Sequence, residues 1–139
     1  MSAQRKDSPE KTFAEQMAAE TGIDVRKCYQ CGKCSAGCPV DYAMDLGPRQ
    51  IMRLIQLGQK KDVMQSSTSW LCVSCETCSS RCPAKIDIAK VMESLRILAT
   101  IEGTPPAVKK VNAFHQEFLK AVEQYGRAHE LTLSAKYVM

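Results

Sequence analysis

Apolar residues recur at helical spacing in four stretches of the chain. Phe13, Ala14, Met17 and Ala18 share one face of a segment that opens with Ser8-Pro9-Glu10 and closes at Gly22. A serine cap, a first-turn proline and an early acid predict a helix over about 9–21. A second start at Gly47-Pro48 leads into Ile51, Met52, Leu54, Ile55 and Leu57 and stops at Gly58, with Lys60 and Lys61 read as a solvated helix end. The third helix runs from an Asp87 cap to Gly103, with Ile88, Val91, Met92, Leu95, Leu98 and Ala99 on one side. Thr104-Pro105 restarts a fourth, whose apolar side carries Val108, Val111, Phe114, His115, Phe118, Val122 and Tyr125. From Gly126 onward no strong pattern emerges, which reads as a tail. Nowhere do β-branched and aromatic residues alternate with polar ones over a strand's length, so the expected fold is mainly α.

Between these helices lies a repeat. Cys28, Cys31, Cys34, Cys38 and Pro39 recur as Cys72, Cys75, Cys78, Cys82 and Pro83 at a constant offset of 44 residues. All eight cysteines fall in these two C-x-x-C-x-x-C-x-x-x-C-P runs. Two residues between ligands let a tight loop aim successive thiolates at different corners of an iron–sulfur cubane, while turn amides face its sulfides. The fourth cysteine, followed by a proline that turns the chain away, points out of its own loop toward the other cluster. This pattern assigns Cys28, Cys31, Cys34 and Cys82 to one [4Fe–4S] cluster, and Cys72, Cys75, Cys78 and Cys38 to a second. Zinc and disulfides are weaker readings, because structural zinc takes C-x-x-C pairs rather than triples and disulfides belong to oxidising compartments. Crossed ligation couples cluster binding to tertiary folding, so the apo-protein is expected to be poorly folded.

Composition changes the picture in three ways. At 139 residues the chain is one domain's worth, and with aromatics at 6% its core must rely on aliphatic, Ala and Met side chains, supplemented by the clusters. The formal charge of +4 is dispersed, without a basic stripe interleaved with aromatics, so no nucleic-acid partner is expected. The polar opening leads into no hydrophobic signal region, and Arg53, Glu93 and Arg96 interrupt the most apolar runs. No membrane span is therefore expected, and the cytoplasm is the expected location.

Several short motifs sharpen the reading: Cys28-Tyr29-Gln30-Cys31-Gly32-Lys33-Cys34 with Cys38-Pro39, Gly47-Pro48-Arg49-Gln50-Ile51 leading to Leu57-Gly58, Trp70-Leu71-Cys72 through Cys82-Pro83, and Asp87-Ile88. Through them the chain from Lys27 to about Leu98 resembles the C-type iron–sulfur subunit of heterodisulfide reductases, and the ferredoxin modules of succinate dehydrogenase-type and anaerobic glycerol-3-phosphate dehydrogenase iron–sulfur subunits. The resemblance implies an α-helical ferredoxin: two cysteine loops, each followed by a helix, plus N- and C-terminal helices. Residues 1–26 would be an N-terminal helical extension, 27–102 the two-cluster core, and 103–139 a C-terminal helix and tail. It also implies an electron-transfer role within a cytoplasmic heterodisulfide reductase-like complex. Its partners would be a cysteine-rich protein like the B-type subunit of heterodisulfide reductase and a flavoprotein like the A-type one. The Cys-Cys pair of the catalytic B-type protein is missing from these residues, so no catalytic residue is assigned and no independent turnover is expected. The alternative is a free-standing two-cluster ferredoxin that shuttles by diffusion; the basic apo charge and the added helical ends favour a docked subunit.

The remaining residues receive plainer expectations. His115 reads as a core or edge histidine and His129 as solvated. Trp70 is expected to lie as a hydrophobic lid over a cluster, and Met44, Met52, Met64 and Met92 to pack against clusters. Arg49 and Arg53 share a helical face that reads as solvated, with an acidic partner as the second choice. Apolar surface on the first and fourth helices is the expected docking site.

Overall fold

A computed structural model describes residues 12–138, and among these the chain is helical with no strand. Helix α1 (Phe13–Thr21) starts at a capping box: the Thr12 hydroxyl accepts from the Glu15 amide, and the Glu15 carboxylate accepts from the Thr12 amide. The expected Ser8-Pro9 start lies outside the described residues. Gly22 closes α1 at φ +73°, a conformation that side chains resist. The first cysteine loop then carries the short helix α2 (Lys33–Ala36), and Pro48 opens α3 (Pro48–Gln56) at its first position.

After Gly58 the chain departs from expectation. Lys60 and Lys61 begin a new helix, α4 (Lys60–Gln65), rather than ending the previous one, and Lys60 pairs with Glu102 at 2.5 Å. A one-turn helix, α5 (Thr68–Leu71), delivers the second cysteine loop with its own short helix α6 (Thr77–Ser80). Asp87 caps α7 (Ile88–Ile101) by accepting from the Lys90 amide, as the sequence predicts. The fourth predicted helix starts later than Thr104-Pro105, as α8 (Lys109–Tyr125), because two successive prolines at 105 and 106 hold the chain extended first. The expected tail instead contains α9 (Glu130–Val138). Gly126 ends α8 at φ +69°, and three residues later His129 caps the new helix by accepting from the Thr132 amide through Nδ1. His129 is thus half-buried and bonded, not solvated.

The core is aliphatic and Met-rich. Met17, Val25, Ile51, Met52, Ile55, Val63, Ile88, Val91, Met92 and Leu95 are all nearly or fully inaccessible, with Trp70 packed among them. Here α7 is the central member, packed against α1, α4, α5 and α6, while α1 also touches α3. The apolar face of α1 is therefore spent inside the core and is not a docking surface. The face of α8 is different: of α8 only Ala121 is buried, and Phe114, Phe118 and Tyr125 stay more than a third exposed. That helix pairs with α9, where Tyr137 meets Phe114 edge to face at 5.6 Å, and reaches the core mainly through α5.

Candidate metal centres

The two cysteine loops fold alike. Each bends through left-handed backbone at two equivalent positions, Gln30 (φ 60°) and Gly32 (φ 82°) in the first, Ser74 (φ 53°) and Glu76 (φ 59°) in the second. Only one of the four is glycine, so each loop holds non-glycine strain of about 1–3 kcal/mol per residue that its surroundings must offset. Such alternation of backbone hand turns successive N–H groups into a concave nest that suits an anionic cluster. The helices α2 and α6 then begin at equivalent residues, Lys33 and Thr77, and in each the residue after the third cysteine is a serine.

These serines anchor the long helices. Ser35 Oγ accepts from the Arg49 amide at 3.1 Å, and Ser79 Oγ accepts from the Ala89 amide at 3.0 Å while donating to Asp87 Oδ1. Arg49 and Ala89 are each the second residue of the helix that follows the loop, so the same bond fixes both loop–helix units. The cysteine offset was legible in the sequence; these caps were not singled out, although Ser35 and Ser79 obey the same offset.

Packing the two units together produces two cavities. One is walled by Cys28, Cys31, Cys34 and Cys82, with Tyr29, Pro83, Ala84 and Ile88 supplying apolar surface and Lys33 and Arg49 at its edge. The other is walled by Cys38, Cys72, Cys75 and Cys78, with Val40, Met44, Pro48, Val73, Ala89 and Met92, and with Glu76 as its charged member. In each, three cysteines of one loop meet the fourth cysteine of the other. Among the described residues no three or more His, Cys, Asp or Glu converge on a single-ion position. The thiols ring a volume instead, and four sulfur donors around an apolar hollow suit a cubane of several irons.

Local electrostatics differ among the thiols. Burial pushes Cys34, Cys38 and Cys78 above the ordinary thiol range, whereas the Thr77 hydroxyl, 3.4 Å from Cys75 Sγ, and the Thr77 amide hold Cys75 below it. Gln30 Nε2 donates to Cys28 Sγ at 3.4 Å. Cys31 and Cys75 are the exposed corners of the two sites.

Other expected site residues separate. Met44 and Met92 line the second cavity, but Met52 and Met64 belong to the aliphatic core. Trp70 is a core residue, 4% exposed, and forms no part of either cavity wall, so it is not a lid. It stands in α5, just ahead of Cys72, and that helix turns its ring inward. Arg49 is exposed as expected yet borders the first cavity. His115 is half-buried beside Phe114 and takes no part in either site; burial, with Arg96 nearby, lowers its pKa.

With this geometry in place, residues 27–87 match the family model of the 4Fe-4S dicluster domain. The chain is 35% identical over 111 residues to the C subunit of the H(2):CoB-CoM heterodisulfide,ferredoxin reductase of Methanothermobacter marburgensis, an overlap of 79% of this chain and 60% of that protein. It is 38% identical over 84 residues to the C iron-sulfur subunit of the CoB--CoM heterodisulfide reductase of Methanopyrus kandleri, covering 60% of this chain and 44% of the relative. Against the C subunit of the Ferredoxin:CoB-CoM heterodisulfide reductase of Methanosarcina acetivorans the identity is 34% over 102 residues, 70% of this chain and 41% of the relative. The chain thus spans about three-fifths or less of the length of these curated relatives. Residues 27–87 are a 4Fe-4S dicluster domain that holds two [4Fe–4S] clusters, within a chain homologous to the C-type iron–sulfur subunits of heterodisulfide reductases.

Proposed function

We propose that this protein is the electron-transfer subunit of a cytoplasmic heterodisulfide reductase-like complex. It relays electrons to or from a cysteine-rich B-type catalytic protein, with an A-type flavoprotein as the other neighbour. In this reading Cys28, Cys31, Cys34 and Cys82 hold one cluster, and Cys72, Cys75, Cys78 and Cys38 hold the other. Residues 27–102 are the cluster-bearing core, braced by α1 of the 1–26 extension, and residues 103–139 are a peripheral element that docks. The clusters supply one-electron storage. The chain's own residues supply the rest: cysteine thiolates as ligands, apolar walls that limit water, and two exposed corners, Cys31 and Cys75, toward which partners approach.

The observation that carries this reading is the pair of cysteine-ringed cavities within one small helical fold, each open to the surface at one ligand. Docking is supported by the apolar residues left on α7, α8 and α9, where Ile101 is 77% exposed, Leu119 65% and Leu131 80%. Among the described residues no helix is long and apolar enough to cross a membrane. The test is purification of the tagged protein from native extract under anaerobic conditions. Recovery with a cysteine-rich protein and a flavoprotein is expected; recovery only as a monomer would favour a diffusing ferredoxin instead.

A further inference from the structure

The repeat makes the two sites directly comparable, and at matching positions their charges differ. Lys33 borders the first cavity where the second loop has Thr77; Glu76 borders the second where the first has Gly32. Arg49 borders the first at the helix position that Ala89 occupies beside the second. Crossing of the fourth cysteines adds a further pair. Asp41 follows Cys38 and gives its amide to the Cys38 carbonyl at 3.4 Å, but its carboxylate lies against Gly47 alongside Ser35 Oγ of the first loop, so it favours neither site. The matching residue after Cys82 is Lys85, whose amide bonds the Cys82 carbonyl at 3.1 Å beside the first site. The differences at Lys33, Arg49 and Glu76, the charged residues that line the cavities, all make the first site more positive.

Two further features do not reverse the sign. Arg81 adjoins Cys82, but its guanidinium lies against Gly37, where an added Cβ would sit 2.6 Å from Nη1, and Gly37 adjoins Cys38. That cation stands between the sites and favours neither. Arg26, upstream of Cys28, is paired with Asp24 at 2.8 Å. Side-chain contacts to ligand sulfur are balanced, with one from Gln30 in the first site and one from Thr77 in the second. Burial of the ligands differs as well, and charge is the difference that single substitutions isolate.

We infer that Lys33 and Arg49 on one side and Glu76 on the other set the order in which the clusters fill, so that the cluster beside Cys28, Cys31, Cys34 and Cys82 has the higher potential and takes the first electron. One electron from dithionite takes a four-thiolate site from a net charge of about −2 to about −3. Adjacent cations stabilise that added charge and an adjacent carboxylate opposes it. These side chains reach water, so the gap narrows as salt is raised. The inference rests on the ligation proposed above.

The test is an EPR-monitored potentiometric titration of the holo-protein, with iron and sulfide content confirming two clusters in every variant used. Wild type should give two midpoints. Lys33→Gln and Arg49→Gln should each move the higher one to more negative potential and leave the lower in place, Arg49→Lys should keep it near wild type, and Glu76→Gln should raise the lower one alone. Should Arg49→Gln fail to hold its clusters, Lys33→Gln and Glu76→Gln, both at the rims of their cavities, read the same pair of shifts. Coincident wild-type midpoints, a higher midpoint indifferent to Lys33, or a Lys33 substitution that moves the lower midpoint would overturn the inference. Alkylation mapping of Cys38 and Cys82 variants tests ligation separately, so a failure there is distinguishable from a failure of the charge ordering.

Discussion

Asp45, which lies between the two cysteine loops, ties the chain just before α3 to the start of α5. Its carboxylate accepts from the Leu46 amide, the Ser66 hydroxyl, the Ser67 amide and hydroxyl, and the Thr68 hydroxyl, which fixes the entry into α5 and hence the approach to Cys72. Burial pushes the carboxyl up, but these donors outweigh it and hold the pKa at about 2. An unfolded aspartate titrates near ~3.9. Because the folded value is the lower one, the stabilisation is fully present above about pH 4 and is lost as pH falls toward 2. Asp45→Asn should therefore destabilise the holo-protein by about 1 kcal/mol at pH 7, a figure held down by partial exposure. Anaerobic denaturant midpoints of wild type and variant at pH 7, at matched cluster content, check this. At the ligands themselves, Cys82→Ser should expose Cys28, Cys31 and Cys34 to iodoacetamide while Cys72, Cys75 and Cys78 stay protected, and Cys38→Ser should do the reverse. Mass mapping of the labelled peptides reads the result, and labelling of the second loop in Cys82→Ser would refute crossed ligation.

Among the elements, α7 contributes most to the core. Its residues Val91, Met92 and Leu95 are 0–1% exposed, and the helix meets both the first helix and the second cysteine loop. Leu95→Ala should cost about 2–5 kcal/mol, since the well-packed surroundings collapse only partly into the space left. Ser79→Ala removes the hydroxyl that joins α6 to the start of α7 and should cost about 1 kcal/mol. Both are read from thermal unfolding followed by far-UV circular dichroism. Where an apolar period coincided with a start signal, Pro48 in α3 and the Asp87 cap in α7, the elements were legible in advance. The elements missed were α2, α4, α5, α6 and α9, the first four of six residues or fewer and the last without a strong apolar pattern. Such segments gain their helicity from neighbours rather than from a period of their own: α4 from the Lys60–Glu102 pair, α5 from Asp45, and α9 from the ring contact of Tyr137 on Phe114.

For the whole molecule, stability is expected to depend on the clusters, since each cavity is lined by one cysteine from the opposite half. Anaerobic removal of the iron should lower helicity and abolish a cooperative transition, as measured by circular dichroism before and after reconstitution. Removing residues 104–139 should have a much smaller effect on iron content, since α8 buries only Ala121 and leans mainly on α5 among the core helices.

The sequence by itself determined the cofactor, the two cysteine runs that offer ligands to it and the mainly helical character of the chain. Ligand spacing and helical period are local properties, set by residues within a few positions of one another. Proximity between distant segments is not. Only the packed structure brought Arg49 of α3 to the edge of the first cavity and carried Arg81 across to Gly37. It also drew Trp70 and the face of α1 into the core while leaving that of α8 open. Those outcomes depend on which helices claim the limited interior of a small domain, a competition among all the apolar faces at once that no single stretch of sequence records.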